Sequence, residues 1–411
     1  MSKIGFGKTT RAAFLALALP LAATGMVGAI AASSPVQAAE TMSVEVGKPL
    51  QDAQKLAKEG KYAAALKKTR EAAAVKTKTP YEAFVVNDFM GYLSARLGDF
   101  ASAIKAYEQS YGSPYVPAAQ KPKRLEALAN MAYQGKMYGK AEAFAAQYIK
   151  SFGPSESMQV LVMQSQYLKK DYASAAKSAS ALVVSAEKAG KAPQESWLQI
   201  QMASARQAGD KASREAALVK LVKYAPSDVY WKQLLADTQR AIGTSDRMTL
   251  ELDRVLRAKG YMDSSRRYME AAQIAIQLGL PGEAQGLMEE GFEKGVLGGK
   301  DKSREQRLLN MAKKLSTEDK QTLSKDAPTP KGKAALAEAY ASYGEYETAI
   351  ALYEAALKTP AFEGADIARL HLAQAYLATG KKVDARKALK DVKSPKAAQL
   401  AMLWSLVISR V

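Results

Sequence analysis

Apolar and small residues recur along most of the chain at spacings of three and four, which is the pattern of amphipathic helices. These stretches come in pairs, with a Gly between the two members and a Tyr or Phe two residues later. In "AYASYGEYETAIALYEAALKTP", residues 339–360, Gly344 and Tyr346 mark this point. No stretch alternates apolar and polar residues cleanly enough to predict a strand. The pattern therefore predicts an all-α protein.

The paired pattern repeats along the chain. Gly344 and Gly380 are 36 residues apart, and Gly60, Gly98 and Gly279 stand in similar surroundings. Gly ends a helix because its backbone adopts conformations that other residues resist. Small residues on both sides let two antiparallel helices approach closely, and the aromatic residue packs between them. One such hairpin cannot bury its apolar face alone, so the repeat predicts a stack of hairpins.

This spacing resembles the tetratricopeptide repeat family, whose period is about 34 residues. Units at 49–80, 84–114 and 331–360 fit best, and units at 122–152, 264–296 and 366–393 fit less closely. Lys136 and Lys170 occupy the turn position where the other units have Gly. The resemblance implies an α-solenoid, a right-handed superhelix of about ten helical hairpins over residues 45–393.

Breaks in the pattern predict the domain organisation. An N-terminal array spans 39–296, and a linker with a degenerate hairpin spans 297–330, where Gly298 and Gly299 would allow a bend. Residues 331–411 hold a C-terminal pair of repeats and a capping helix. That helix should begin at Ser394 with Pro395 in its first turn, and its Trp404 should pack against the last repeat.

The N-terminus has the organisation of an export signal. Lys3, Lys8 and Arg11 precede an uncharged apolar run over 12–32, and Val36-Gln37-Ala38 form a small-x-small cleavage site. We expect residues 1–38 to be a cleaved signal peptide and the protein to be periplasmic. Retention of the apolar run as a membrane anchor is the alternative, since its length would allow this.

Charge and composition limit the function further. The net charge is +18, and removal of residues 1–38 leaves +15 because it removes three basic and no acidic residues. An exported basic protein is expected to meet acidic protein segments or anionic envelope polymer rather than nucleic acid. The absence of Cys excludes disulfides, thiolate metal sites and cysteine nucleophiles.

The family resemblance also implies a binding surface. In tetratricopeptide proteins the first helix of each unit lines a concave groove that holds a peptide or a partner helix. The matching positions here are Gln54, Tyr92, Arg96, Asn130, Tyr133, Gln134, Gln164, Tyr167, Arg206, Gln273, Gln277 and Gln374. Amides can pair with an extended backbone, and Tyr and Arg are good anchors. The alternative is that these are ordinary polar residues on solvated helix faces.

Catalytic chemistry has little support in the sequence. The single histidine, His371, has no carboxylate or hydroxyl partner three or four residues away, so we interpret it as a packing or surface residue. Adjacent carboxylates such as Glu289 and Glu290 diverge on a helix. We therefore expect no enzyme activity, metal site or cofactor.

Two stretches, 218–240 and 271–298, look like exported tetratricopeptide proteins of Gram-negative bacteria, some of which are linked to the TonB system. The sequence as a whole predicts a periplasmic scaffold that binds other cell-envelope proteins or peptides. The first alternative is a binder of anionic envelope polymer, whose affinity would fall steeply with salt. The second is an enzyme or an enzyme's accessory subunit.

Overall fold

The structure, a computed structural model, describes residues 42–359 and 361–409, so the predicted signal peptide at 1–38 lies outside it. All regular elements of these residues are helices, which confirms the all-α prediction. None of the described helices has the length and apolar character that crossing a membrane requires. The chain divides into two compact units, the first ending at Tyr224 and the second beginning at Ala225.

The described residues of the first unit, from 42 to 224, form a series of five helical hairpins, joined in chain order. Its helices are α1 (Val44–Lys58), α2 (Tyr62–Ala74), α3 (Pro80–Arg96), α4 (Phe100–Tyr111), α5 (Lys121–Gln134), α6 (Tyr138–Phe152), α7 (Glu156–Leu168), α8 (Tyr172–Lys188), α9 (Glu195–Gln207) and α10 (Lys211–Tyr224). A short 3-10 helix, Ala118–Gln120, precedes α5. Each hairpin packs on the next, as the stacked repeat predicts.

The spacing of apolar residues explains how the hairpins stack. On α5, Leu125, Leu128 and Ala132 share one buried face, which meets Ala141 and Phe144 of α6 in a common core with residues of α4 and α7. The two alanines are completely buried, which lets the paired helices approach closely. A single hairpin would leave part of this apolar face in water, so each hairpin depends on its neighbours.

The turns inside the hairpins need a left-handed residue. Gly98, between α3 and α4, has a φ of 77°, and the Asp99 side chain then accepts the backbone N–H of Ser102 at the start of α4. Lys136 and Lys170 occupy the same position in two other hairpins, with φ values of 58° and 67°. The turn geometry is therefore kept where the sequence lacks Gly, at the cost of a disfavoured conformation for a residue with a Cβ.

In the part of the second unit that the structure describes there are four helical pairs and two single helices. They are α11 (Asp228–Ile242) with α12 (Asp246–Ala258), α13 (Ser265–Gln277) with α14 (Pro281–Glu293), the single α15 (Lys302–Thr322), α16 (Pro330–Ser342) with α17 (Tyr346–Leu357), α18 (Ala365–Ala378) with α19 (Lys382–Lys390), and the single α20 (Pro395–Ile408).

The segment 297–330, predicted as a linker with a degenerate hairpin, is largely helical. Most of it is one helix of 21 residues, α15, which packs on α13 and α14 within the second unit. The buried carboxylate of Glu305 accepts the backbone N–H of Gly298 at 2.7 Å and the hydroxyl of Ser265 at 2.6 Å. These bonds tie the glycine loop to the neighbouring helices.

The last helix, α20, has two sets of neighbours. Ser394 is its N-cap residue, and the Ser394 backbone N–H donates to Asp366 at 2.7 Å. Trp404 and Leu406 are buried, and α20 contacts α18 and α19, as expected of a capping helix. It also contacts α11 and α12, so it joins the first and last helical pairs of the second unit.

Candidate functional site

The predicted groove residues all lie on first helices of hairpins, and all of them are exposed or half-buried. In the first unit they are Gln54 on α1, Tyr92 and Arg96 on α3, Asn130, Tyr133 and Gln134 on α5, Gln164 and Tyr167 on α7, and Arg206 on α9. In the second unit they are Gln273 and Gln277 on α13 and Gln374 on α18. Their accessibility is compatible with binding but also with a solvated face.

Several predicted anchors also pack within the fold. Tyr133 stacks edge-on against Tyr138, with ring centroids 5.7 Å apart, and Tyr167 lies in the same way against Tyr172 at 5.8 Å. Each pair joins the two helices of one hairpin. These tyrosines therefore stabilise their hairpins, and replacing them would test packing as much as binding.

A second group of polar residues, absent from the sequence prediction, lies inside the second unit. We call Arg247, Glu251, Arg254, Glu283, Glu338 and His371 the charged cluster. The first three lie on α12, and the others come from α14, α16 and α18. The three carboxylates face two guanidinium groups and one imidazole.

Arg254 is the centre of the charged cluster. Its Nε and Nη2 donate to the two carboxylate oxygens of Glu283 at 2.8 and 2.6 Å. Nη1 donates to Glu251 Oε1 at 2.7 Å, and Nη2 also donates to Glu338 Oε1 at 3.0 Å. Arg247 provides a second guanidinium for Glu338. A forked guanidinium suits this arrangement, because its donors lie in one plane and can serve several carboxylates at once.

Burial and charge act in opposite directions on the carboxylates. Burial alone raises the pKa of Glu251, but Arg254 and the imidazole of His371 outweigh it and lower that pKa to about 2. The pKa of Glu338 is also lowered, again against the effect of burial. Both side chains are therefore ionised at neutral pH, and the charged cluster is a network of ions.

His371 differs from the sequence interpretation as a packing or surface residue. It is only 5% exposed, and its Nε2 lies 2.6 Å from Glu251 Oε1 and 2.7 Å from Arg254 Nη1. Its carboxylate partner is 120 positions away in sequence, so a search three or four residues away could not find it. The available signal was a histidine flanked by Leu370 and Leu372, which marks a polar group at a buried helix face.

Glu251, Glu338 and His371 place three potential metal ligands within 4.8 Å of one another. The donor set would suit a divalent cation. However, Arg254 Nη1 lies 2.7 Å from both Glu251 Oε1 and His371 Nε2, so a guanidinium already uses these oxygen and nitrogen atoms. The geometry fits an ion-pair network better than a metal centre.

A cavity of about 370 Å³ lies beside the charged cluster, within the second unit. Its walls come from α12, α14, α16, α17, α18 and α20. Gln374, one of the predicted groove residues, lines it and donates to Glu251 Oε2 at 3.3 Å. The structure thus places Gln374 at this cavity, on a different unit from the residues of α1 to α9.

Part of the chain is similar to a known protein family. Residues 340–407, from α16 into α20, match the tetratricopeptide repeat family. No curated protein matches the chain. Among solved structures, a tetratricopeptide repeat protein from Parabacteroides merdae is similar to this chain, with 11% sequence identity and a TM-score of 0.31. The alignment covers 81% of this chain and 99% of that protein. The apo form of RapI is 9% identical, with 84% and 96% covered and a TM-score of 0.29.

Proposed function

We propose that the chain is a non-enzymatic scaffold of the bacterial periplasm that binds extended segments of other cell-envelope proteins. The binding surface would be the face formed by the first helices of the first unit. One observation supports it most directly: five successive first helices carry nine of the predicted residues, and none of the nine is buried. We call these nine residues, from Gln54 to Arg206, the groove set.

The chemistry of the groove set favours an extended peptide. Gln54, Asn130, Gln134 and Gln164 have amides that both donate and accept, as peptide backbone groups do. Asn130 uses its Nδ2 on the carbonyl of Glu126, one turn earlier on its own helix, and so leaves its oxygen for another donor. A row of amides would hold a backbone with little selection for its side chains.

Charge favours an acidic partner. Residues 42–224 contain 27 Lys and Arg against 16 Asp and Glu, whereas residues 225–411 contain 29 against 24. The excess of positive charge therefore lies mainly in the first unit, with the groove set. An acidic protein segment would be attracted to it over about a Debye length, roughly 8 Å at physiological salt.

Charge reversal on two helix faces tests the surface. Arg96 and Arg206 belong to the groove set, and Lys105 and Lys177 are exposed residues of second helices, α4 and α8. We expect R96E/R206E to lose its partners in affinity purification from a crosslinked envelope fraction, and K105E/K177E to keep them. Circular dichroism must first show both variants to be as helical as the wild type, because Arg96 also donates to Tyr62 at 2.6 Å. Equal recovery with both variants would contradict the proposal.

The same excess of positive charge supports the alternative function, binding of an anionic envelope polymer. The salt dependence of binding distinguishes polymer binding from peptide binding. Polymer binding should weaken steeply between 50 and 200 mM salt, by roughly 10³-fold or more for six or so contacts by analogy with polyanion binding. A backbone-amide contact should weaken far less. Participation in a TonB-type envelope complex would appear as a complex component among the purified partners.

The location requires a separate measurement. Mass spectrometry of the protein from fractionated cells should give a mature N-terminus at Ala39 in the periplasmic fraction. Detection of Met1 in the membrane fraction would favour the anchored alternative, and an intact N-terminus in the cytoplasm would contradict export.

A further inference from the structure

The cavity of the second unit has the size and wall of a small-molecule site. Its volume, about 370 Å³, lies within the range of roughly 300–1,000 Å³ that such sites occupy. Apolar surface comes from Ala341, Ala375 and the indole of Trp404, and charged groups lie along one side. Arg254, which lines this side together with Glu283 and Glu338, is fully engaged within the charged cluster, so it is not the residue that an occupant would meet as a free cation.

Arg257 is the cation that an occupant would meet. It lines the cavity one turn after Arg254 on α12, and its Nε donates to Glu290. Glu290 also accepts from Lys294 at 2.7 Å, so one carboxylate faces two cations. The Nη2 of Arg257 lies 3.9 Å from the position that a Cβ on Gly286, which also lines the cavity, would take. This arrangement leaves a guanidinium fork available to a carboxylate.

Gly286 keeps the space beside this fork open. It lies inside α14, where Gly is disfavoured, and a Cβ there would meet no atom closer than 3.9 Å. Gly282, one turn earlier, is different, since its Cβ would lie 2.5 Å from the ring of Tyr343. Packing therefore explains Gly282 and does not explain Gly286. A side chain at 286 would extend beside Arg257 into the cavity.

From the guanidinium of Arg257 and the unexplained glycine beside it, we propose that this cavity binds a compact organic anion. Its carboxylate pairs with the Nη groups of Arg257, and its apolar body lies beside Gly286 and Trp404. This site is independent of the groove set, since every residue that lines it belongs to the second unit.

The indole signals of the three tryptophans provide the test. In the mature protein labelled with ¹⁵N-tryptophan, Trp404 reports on the cavity, Trp231 on the rest of the second unit and Trp197 on the first. Tryptophan-to-phenylalanine variants assign the signals. The probes are benzoate, indole-3-acetate and citrate, with benzamide as the neutral match for benzoate. We expect at least one anion to shift the Trp404 signal saturably, and benzamide to bind at least about tenfold more weakly than benzoate if benzoate is the one that binds.

Variants locate the binding. R257A should weaken the active anion by about tenfold or more, and G286L should abolish its effect, whereas R266A on the exposed face of α13 should change nothing. If R257A is not fully helical, R257K replaces it as the test variant, because Lys keeps the charge but lacks the two Nη donors. Absence of a saturable Trp404 shift with all three anions would overturn the proposal. So would wild-type affinity for the active anion in R257A, or in R257K where it replaces that variant, and so would equal shifts at Trp197.

Discussion

Replacement of Arg254 by Met tests whether the charged cluster holds the second unit together. The substitution keeps most of the side-chain volume and removes the guanidinium. Glu251 is completely buried, and Glu283 and Glu338 are about 10% exposed as side chains, so none can regain full hydration. Arg247, His371 and Gln374 would be the remaining partners. We therefore expect a large loss of stability.

The magnitude follows in two ways. Removal of one partner from a buried ion pair typically costs about 3–5 kcal/mol, because an uncompensated charge stays buried. Independently, the pKa of Glu251 falls from 4.5 to about 2, which corresponds to about 3 kcal/mol of interaction that favours its ionised form. Part of that interaction comes from His371 and Arg247. A loss of about 3 kcal/mol should lower the melting temperature by roughly 6–12 °C for a unit of this size.

Tryptophan fluorescence during thermal unfolding is a suitable assay, because Trp231 and Trp404 are buried in the second unit. R266A is the matched control: Arg266 is 85% exposed and pairs with Glu270 on the same helix. We expect R266A to change the stability by no more than about 0.5 kcal/mol. A change of less than about 1 kcal/mol in R254M, with both variants fully folded at 25 °C, would refute the reasoning.

Three further predictions concern pH and glycine. The pKa of Glu251 is lower in the folded than in the unfolded state, so the stability that this carboxylate contributes should be complete above about pH 4.5 and decline as the pH falls towards 2. In acid-unfolding curves, E251Q should therefore lose less stability over this range than the wild type. K136G should stabilise the first unit by roughly 0.5–1 kcal/mol in urea unfolding. Gly relieves the strain of a φ of 58°, and the backbone entropy that it adds to the unfolded chain offsets part of this gain. No gain in stability would mean that the turn is not strained. G282A should destabilise the second unit by about 1–3 kcal/mol through its clash with Tyr343, whereas G286A should be neutral or stabilising in the same thermal assay.

The repeat was predictable because its determinants are local. The Gly, Ala and Tyr spacing fixes where each helix ends and which residues share a face, and the structure keeps the turn at Gly98 and at Gly344 with positive φ. Positions 136 and 170 have Lys where Gly was expected, and their backbone nevertheless takes the expected positive φ. In these hairpins the neighbouring units over-determine the turn, so one unfavourable residue does not change it.

The charged cluster was not predictable because its determinants are distant. Glu251 and His371 are 120 positions apart, and Arg247 and Glu338 are 91 apart. No spacing within one helix records such a pairing. The structure adds the contacts of α20 with both α11 and α18, which bring the first and last helical pairs of the second unit into one group. The sequence signals were local: Glu251 lies between Leu250 and Leu252 and is three and four residues from Arg254 and Arg247, and His371 lies between Leu370 and Leu372.

The central claim, that the first helices of the first unit form a protein-binding surface, is tested most directly by site-specific photocrosslinking in the native cells. A photoreactive phenylalanine derivative would replace Gln134 or Gln164 of the groove set, with Lys105 and Lys177 on second helices as control positions. The proposal predicts adducts with the same partner protein from both groove positions and none from the controls. Adducts from Lys105 and Lys177 without any from Gln134 and Gln164 would contradict it.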